Sequence, residues 1–295
     1  MIYTKEIILD SLKSVKIVGT KEYSLERTFD CGQCFRIEKS KTVEGAFEGV
    51  AFGRFVRFIK DEDGDVVILG ATIDEYESIW HTYLSLDLDW KKIEEDVCSR
   101  SGELRSAYEA SAGIRILGQD RFEALVSFII SQCNNIPRIK GLVSSLCRTY
   151  GKAITTPEGD TVYTFPSPDD ILARPLSTLT SMKVGYRDKY IYAAALAAKD
   201  GILDRISEAK TTEEASRIIS GIEGVGKKVA ACALLFGFRR LDAFPVDVWM
   251  KRAMARLFPD CSDYSVFGPY AGVAQQYLFY SERYLGAADN KPKKP

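Results

Sequence analysis

The hydrophobic period changes once along this chain, near residue 115, and that change limits the folds open to it. Before about residue 112 the apolar residues sit in β-favouring runs. Ala51-Phe-Gly-Arg-Phe-Val-Arg-Phe-Ile-Lys60 and Val66-Val-Ile-Leu69 flank an acidic turn, Asp61-Glu-Asp-Gly-Asp65, and read as a β-hairpin. Lys16-Ile-Val and Phe35-Arg-Ile-Glu suggest further strands, and Asp74 to Leu84 suits a helix. From Gln119 onward apolar residues recur about every 3.6 positions, which predicts helices at 120–133, 137–149, 167–173, 176–181, 186–199, 212–220, 227–237, 247–258 and 267–283. The implied class is α+β: an antiparallel sheet domain over 1–112 and a nearly all-helical domain over 113–295.

A chain of 295 residues with 46% hydrophobic and 27% charged side chains has the composition of a folded globular protein of about two domains. Its longest apolar runs, Ala124 to Ile130 and Val229 to Phe238, are about half of the roughly 20 residues that span a bilayer, so no membrane segment is expected. The start, Met1-Ile-Tyr-Thr-Lys-Glu, lacks an apolar signal core, and an intracellular location is expected. Forty Lys and Arg against 41 Asp and Glu leave a net charge of -1, which by itself announces no polyanionic partner. The average hides an asymmetry. Residues 1–115 carry 16 basic and 22 acidic side chains, residues 116–295 carry 24 and 19, so the helical half is the candidate polyanion face. Beyond a short ending, Lys291, Lys293 and Lys294, already among these 24, there is no long acidic or basic tail.

The single histidine, His81, excludes Ser-His and Cys-His nucleophile systems and multi-histidine metal sites beyond what one imidazole can serve. Seven scattered cysteines suit reduced, mostly buried thiols. Any chemistry must therefore use Lys, Asp, Glu, Cys or Tyr.

One segment supplies a phosphate site. In Thr211-Thr-Glu-Glu-Ala-Ser-Arg-Ile-Ile-Ser-Gly221-Ile-Glu-Gly-Val-Gly226-Lys-Lys-Val-Ala-Ala-Cys-Ala, Thr211 and Glu214 have capping-box spacing, and Ala215, Ile218, Ile219 and Ile222 line one face. Gly221, Gly224 and Gly226 then make a tight connection into a second apolar helix. This is a helix-hairpin-helix signature, spanning 211–237. Its glycines allow close backbone approach, so N–H groups of the hairpin and of the second helix's first turn can receive a phosphate oxygen. About 20 residues on, Asp247 in Phe244-Pro-Val-Asp-Val-Trp249 stands at a helix start, where it caps the helix and stays ionised. A carboxylate held charged beside a DNA sugar stabilises positive charge at C1′ as a base departs.

At these motifs the chain resembles the 8-oxoguanine DNA glycosylase/lyases of the helix-hairpin-helix (HhH-GPD) superfamily, over about residues 20–285. The resemblance implies an N-terminal TBP-like antiparallel domain packed on a helical glycosylase core. It implies excision of 8-oxoguanine from duplex DNA through a lysine Schiff base, followed by β-elimination. The family's nucleophilic lysine falls on Lys228 and its invariant carboxylate on Asp247. A first-turn amine beside Lys227 faces a positive helix end and a like charge, both of which favour the neutral, nucleophilic form. Lys227, Gly224, Gly226 and Trp249 are then the phosphate contacts; many eukaryotic members have a titratable histidine where Trp249 stands.

The same resemblance maps a base pocket. Cys31-Gly-Gln-Cys-Phe-Arg36 matches the segment whose glycine carbonyl accepts the N7–H that 8-oxoguanine has and guanine lacks, which gives Gly32. Cys232 matches the base-sandwiching cysteine, and Gln275 and Phe279 match the edge-reading glutamine and stacking phenylalanine. On the opposite strand Arg138, Tyr186 and Arg187 match the family's two arginines and wedge tyrosine. Its hole-filling asparagine falls on Cys133, followed by Asn134 and Asn135, a departure that implies weaker preference for cytosine opposite the lesion. No cofactor is expected: only Cys261 follows Cys232, too few for an iron–sulfur cluster. A structural cation on hairpin backbone carbonyls is a family possibility. The expected partner is double-stranded DNA carrying 8-oxoguanine, met by a monomer in the cytoplasm or nucleoid of a prokaryote or the nucleus of a eukaryote. Three alternatives stand beside this: a glycosylase for another damaged purine, a non-catalytic DNA-binding hairpin protein, and, for Cys31-X-X-Cys34, a thiol redox motif.

Overall fold

The structure is a computed structural model that describes residues 2–9, 12–261 and 263–285; the basic ending at Lys291, Lys293 and Lys294 lies outside them. Six strands form one sheet in the order β1-β2-β6-β5-β4-β3, with every neighbouring pair antiparallel. They are β1 (Tyr3–Leu9), β2 (Leu12–Val18), β3 (Ile37–Lys39), β4 (Phe47–Ala51), β5 (Arg54–Lys60) and β6 (Val66–Leu69). Alternation decides the faces. Val15 and Ile17, Val56 and Phe58, and Val66 and Ile68 bury one face. Helix Leu25–Asp30 covers it, with Phe29 stacked on Phe58 at 5.3 Å, and Trp80 meets Phe58 edge-on at 5.8 Å. On β2 the intervening Lys16 turns its ammonium to Asp61, Asp63 and Asp65 of the β5–β6 turn. The bonds from Asp61 and Asp63 hold that lysine charged to well above its ordinary range, and the three carboxylates serve it as an ion pair.

Four sequence expectations are corrected here. The run from Ala51 to Lys60 is not one strand: Ala51 ends β4, Phe52 and Gly53 turn with φ of 50° and 73°, and β5 begins at Arg54. A two-residue hairpin loop of the type I′ kind needs positive φ at both positions, and a phenylalanine in the first of them hid the turn. The third strand starts at Ile37 rather than Phe35. The helix expected over Asp74 to Leu84 runs from Ile73 to Tyr83 with a π-helical stretch at Tyr76–Trp80. The last helix is also divided: a 3₁₀ stretch Tyr264–Tyr270, broken at Gly268, precedes helix Ala271–Tyr280 and a π-turn Ser281–Leu285.

The helical core is built on Arg121–Ile130, in which all but Arg121 and Glu123 are buried, packed along Lys227–Gly237. A Cβ on Gly237 would stand 2.9 Å from that of Ala124, so the two helices approach at a pair of small residues. Ile136–Tyr150, Arg187–Lys199, Val248–Leu257 and Ala271–Tyr280 complete its main helices. Among the elements unread in the sequence are strand β1 and the helices Leu25–Asp30, Trp90–Arg100, Gly102–Ser111 and Ile202–Glu208. A small hairpin of β7 (Ala153–Thr155) and β8 (Thr161–Tyr163) also interrupts the helical half. Trp90, Ile93, Val97, Leu104 and Ala107 pack into the helical core, as do Cys31 and Phe35, while Leu117 packs into the sheet core.

The joint between the cores is polar. Gln33, fully buried, donates from Nε2 to the carbonyls of Thr28 (2.9 Å) and Arg115 (2.8 Å), and its Oε1 accepts from Leu117 N–H at 2.9 Å. Gln119 in turn donates to the Gln33 carbonyl at 2.6 Å. A leucine there would strand two buried carbonyls and one N–H. Gln33→Leu is expected to lower the unfolding free energy by about 3 kcal/mol or more, read as a reduced urea midpoint; an unchanged midpoint would show that the joint does not depend on these bonds.

Candidate active site

The hairpin folds as its glycines require. Thr211 caps helix Thr212–Ile219 by accepting from Glu214 N–H at 3.1 Å, and Glu214 returns a bond to Lys210 N–H rather than to Thr211, so half of the expected capping box forms. Gly224 has φ +83°, and a Cβ there would lie 2.0 Å from the ring of Tyr190. Gly226 caps Lys227–Gly237, and a Cβ on it would meet nothing within 4 Å, which leaves the unsatisfied N–H groups of that first turn approachable. Lys227 is exposed. Lys228, one residue on, is half-buried; its Nζ bonds Ser131 Oγ at 3.0 Å and lies 5.3 Å from the centre of the Phe128 ring.

Asp247 is the N-cap of Val248–Leu257, one carboxylate oxygen accepting from Met250 N–H at 2.8 Å. It faces the same cleft as Lys228. This open cleft of about 680 Å³ is also lined by Gly32, Phe128, Ser131, Gln132, Trp249, Lys251, Phe279 and Arg283. Behind it lies a recess of about 50 Å³, sharing Gly32, Phe128, Lys228, Asp247 and Phe279 with the cleft and closed by Cys31, Cys232, Phe236, Pro245, Gln275 and Gln276. The structure thus gathers Lys228, Asp247, Gly32, Cys232, Gln275 and Phe279 around one continuous hollow.

Each wall of the recess has a local cause. Gly32 turns with φ +79°, and the carbonyl before it, that of Cys31, accepts from Gln276 Nε2 at 2.9 Å. Gln275, next along the helix, is buried, and its Oε1 meets no donor among the described residues. Cys232, one turn after Lys228, is buried; burial pushes its thiol up, partly offset by the nearby Lys228 ammonium. Burial also pushes Cys31 up to about 12, Gln33 hydrogen bonds partly opposing, and Cys34 further still. Both are inert thiols rather than a redox pair.

The opposite rim is less as expected. Cys133 is exposed with φ 49°, Asn134 donates to the Ile130 carbonyl at 2.7 Å, and Asn135 caps the helix that bears Arg138. Arg138 is exposed and Tyr186 half-exposed, 52%. Arg187 is instead buried: it bonds the carbonyls of Gln132 and Val184, the latter at 3.0 Å, and stacks on Tyr186 with its guanidinium 4.5 Å from the ring centre. It clamps the two loops together in place of standing free. Ser131, Gln132 and Gln276 went unnamed in the sequence reading; only their neighbours carried a motif.

A lysine delivered by a helix-hairpin-helix to the cleft of a helix-capping aspartate defines a base-excision protein of the helix-hairpin-helix class. Comparison agrees. Residues 16–125 match the family model described as 8-oxoguanine DNA glycosylase, N-terminal domain, and residues 126–263 match that of the HhH-GPD superfamily base excision DNA repair protein. The chain is 30% identical to a probable N-glycosylase/DNA lyase of Methanothermobacter thermautotrophicus over 91% of this chain and 96% of that protein. Its fold matches the 8-oxoguanine glycosylase/lyase of Clostridium acetobutylicum in complex with double-stranded DNA containing cytosine opposite 8-oxoguanine, at TM-score 0.87 and 34% identity, covering 97% of this chain and 98% of that one. MBOgg1 in complex with a low affinity DNA ligand matches as well, at TM-score 0.87 and 35% identity over 96% and 99%. The chain belongs to the 8-oxoguanine DNA glycosylase/lyase family of the HhH-GPD superfamily.

The hairpin geometry yields a test. Gly224→Ala combines a strained φ with a collision against Tyr190, so the variant is expected to lose at least about tenfold in affinity for duplex DNA by displacing the hairpin. Fluorescence anisotropy on an undamaged duplex reads it; wild-type affinity would mean the turn is not a DNA contact.

Proposed function

We propose that this chain flips 8-oxoguanine out of duplex DNA, cleaves its glycosidic bond with Lys228 and nicks the resulting abasic strand. The observation that carries the reading is the placement of one amine and one carboxylate on the same hollow, whose inner wall offers Gly32 and the unpartnered Gln275 Oε1. A flipped base is read on its edges and faces. Phe279 and Cys232 supply the faces, Gln275 an acceptor for the Watson–Crick edge and the Gly32 carbonyl an acceptor for N7–H. The recess, about 50 Å³, opens directly into the larger cleft of about 680 Å³, through which a base would enter.

Chemistry then follows from charge and reach. Lys228 Nζ, as the neutral amine, attacks C1′ while the C1′–N9 bond breaks and its electrons leave with the base, which takes up the proton that the new C1′–N ammonium sheds. Asp247 uses one oxygen for the helix cap and keeps the other for positive charge at the sugar. Ring opening gives the Schiff base between Nζ and C1′, loss of a C2′ proton expels the 3′-phosphate, and water releases the amine. Ser131 Oγ accepts from Lys228 Nζ and holds it in place beforehand. The amine route asks for no metal or redox group; a cation on the hairpin would be held by backbone oxygens. Ile222 and Gly224 each commit one lone pair, to Val225 N–H and Gln132 Nε2, and keep a second.

Exposed Arg138, Lys183, Lys227 and Lys251 make the phosphate and strand contacts in this reading, with the first-turn N–H groups after Gly226 and the indole of Trp249. Among the described residues no helix is long and apolar enough to cross a membrane. We place the protein inside the cell with its DNA, as a monomer of two chain segments, 1–112 and 113–295.

Two outcomes are expected. Borohydride traps a covalent adduct between the wild-type chain and an 8-oxoguanine duplex, and Lys228→Gln abolishes it; an undiminished adduct in the variant removes Lys228 as nucleophile. With Arg187 engaged and Cys133 in the hole-filling position, Arg138 is left to read the partner base. Single-turnover excision is therefore expected to favour cytosine by only about ten- to hundredfold, the worth of one arginine contact. Equal rates opposite all four bases would remove Arg138 from that role.

A further inference from the structure

The last described turn of the chain carries an arginine that neither the fold nor the proposed chemistry has used. Helix Ala271–Tyr280 ends in the π-turn Ser281–Leu285. Within it Arg283, four residues after Phe279, sets its guanidinium 5.8 Å from the centre of the Phe279 ring and 5.1 Å from that of Tyr284, and lines the cleft of Lys228 and Asp247. One of its nitrogens lies 3.6 Å from where a Cβ on Gly32 would stand. Among the described residues Arg283 has no carboxylate within salt-bridge distance and no hydrogen-bond acceptor, so its donors face the hollow unspent.

The turn is also fastened on both sides of the site. Tyr284 Oη donates to the Asp30 carbonyl, two residues before Gly32, and Glu282 pairs with Arg256 on the helix that Asp247 caps. Arg283 is thereby held in register with the Gly32 loop and with the Asp247 helix at once. A guanidinium offers only donors, so what it meets must be an acceptor. On the face of a base stacked on Phe279 and bonded through N7–H to Gly32, the atom next to N7 on the mouth side is the C8 oxygen, which 8-oxoguanine has and guanine does not.

We propose that Arg283 is a specificity-determining residue that donates to the C8 carbonyl oxygen of the flipped lesion, a second contact to the oxidised edge beside that of Gly32. The proposal rests on the 8-oxoguanine reading of the site. Its shared chemistry is an oxygen acceptor, and the other source of one at this rim is a backbone phosphate of the lesion strand, present whether or not a base is attached.

Two substrates separate the sources. Arg283→Met keeps the apolar stem over Phe279 and removes the donors; Arg283→Lys keeps the charge and loses the fork. Each is assayed for single-turnover release of 8-oxoguanine and for strand nicking of an abasic duplex that lacks any base. Loss of about tenfold or more in base release, with abasic nicking within about twofold of wild type, is expected for Met, and a smaller loss for Lys. Abasic nicking at wild-type rates also certifies that a variant is folded; should Met fail that control, Lys carries the comparison. Equal loss on both substrates by the folded variant assigns Arg283 to a phosphate, and no loss on either assigns it to neither; both results overturn the proposal. A wild-type chain that nicks abasic DNA without releasing 8-oxoguanine overturns the substrate reading itself, and the Arg283 contact with it.

Discussion

The placement of the whole base recess depends on one buried amide. Gln33 satisfies carbonyls from Thr28 and Arg115 and the N–H of Leu117 in a position with no access to water, and a buried polar group so engaged is costly to disturb. Thr28 belongs to the helix that covers the sheet, Arg115 and Leu117 to the segment that enters the helical core. The loop from Cys31 to Cys34 is therefore located by both cores at once. From the far end of the chain, Gln276 bonds the Cys31 carbonyl and Tyr284 the Asp30 carbonyl. Gly32 thus sits between fasteners from three parts of the sequence, which is what the carbonyl proposed to distinguish one N–H from none would require.

Charge is divided by the same logic. Lys16, Arg36, Arg57, Arg115 and Arg187 are buried or nearly so, and each is matched by a carboxylate or by carbonyls. These hold the molecule together and contribute little to a distant polyanion. The excess of basic residues after residue 115 therefore overstates the binding face, because Arg187 belongs to the structural set. What remains exposed near the hairpin and the cleft includes Arg138, Lys183, Lys227 and Lys251. A neutral protein can carry such a face because binding follows local phosphate contacts rather than net charge.

What could be read from the chain follows from how local its causes are. The hairpin, Lys228 and Asp247 were legible because glycines and caps act over a few residues; the helix expected at 227–237 has those bounds. The sheet was legible as alternation, but its register was not. Phe52 gave no sign of the turn it occupies, and its φ of 50° is imposed by the pairing of Ala51 with Arg54. Helices Trp90–Arg100 and Gly102–Ser111 begin at Asp89 and Ser101, whose side chains cap them. Strong polarity masked their sparse apolar stripes, which depend on partners far along the chain such as Tyr277, 5.5 Å from Tyr108. Arg187 matched a motif in type and position, yet its rotamer answers to two loop carbonyls that no spacing reveals.

The unpartnered oxygen of Gln275 ties these points to selectivity. This buried acceptor meets no donor among the described residues, and an acceptor left so costs about 1–3 kcal/mol. In the proposed reading a guanine or an 8-oxoguanine edge would relieve it equally, so Gln275 would favour entry of either base and distinguish neither. Discrimination would then have to come from the oxidised edge, where a normal guanine would turn a lone pair at N7 towards the Gly32 carbonyl. Two acceptors would face each other there. On that reading the preference for the lesion is more a penalty on guanine than a reward for damage, as sharp as the surrounding hydrogen bonds keep Gly32 from moving aside.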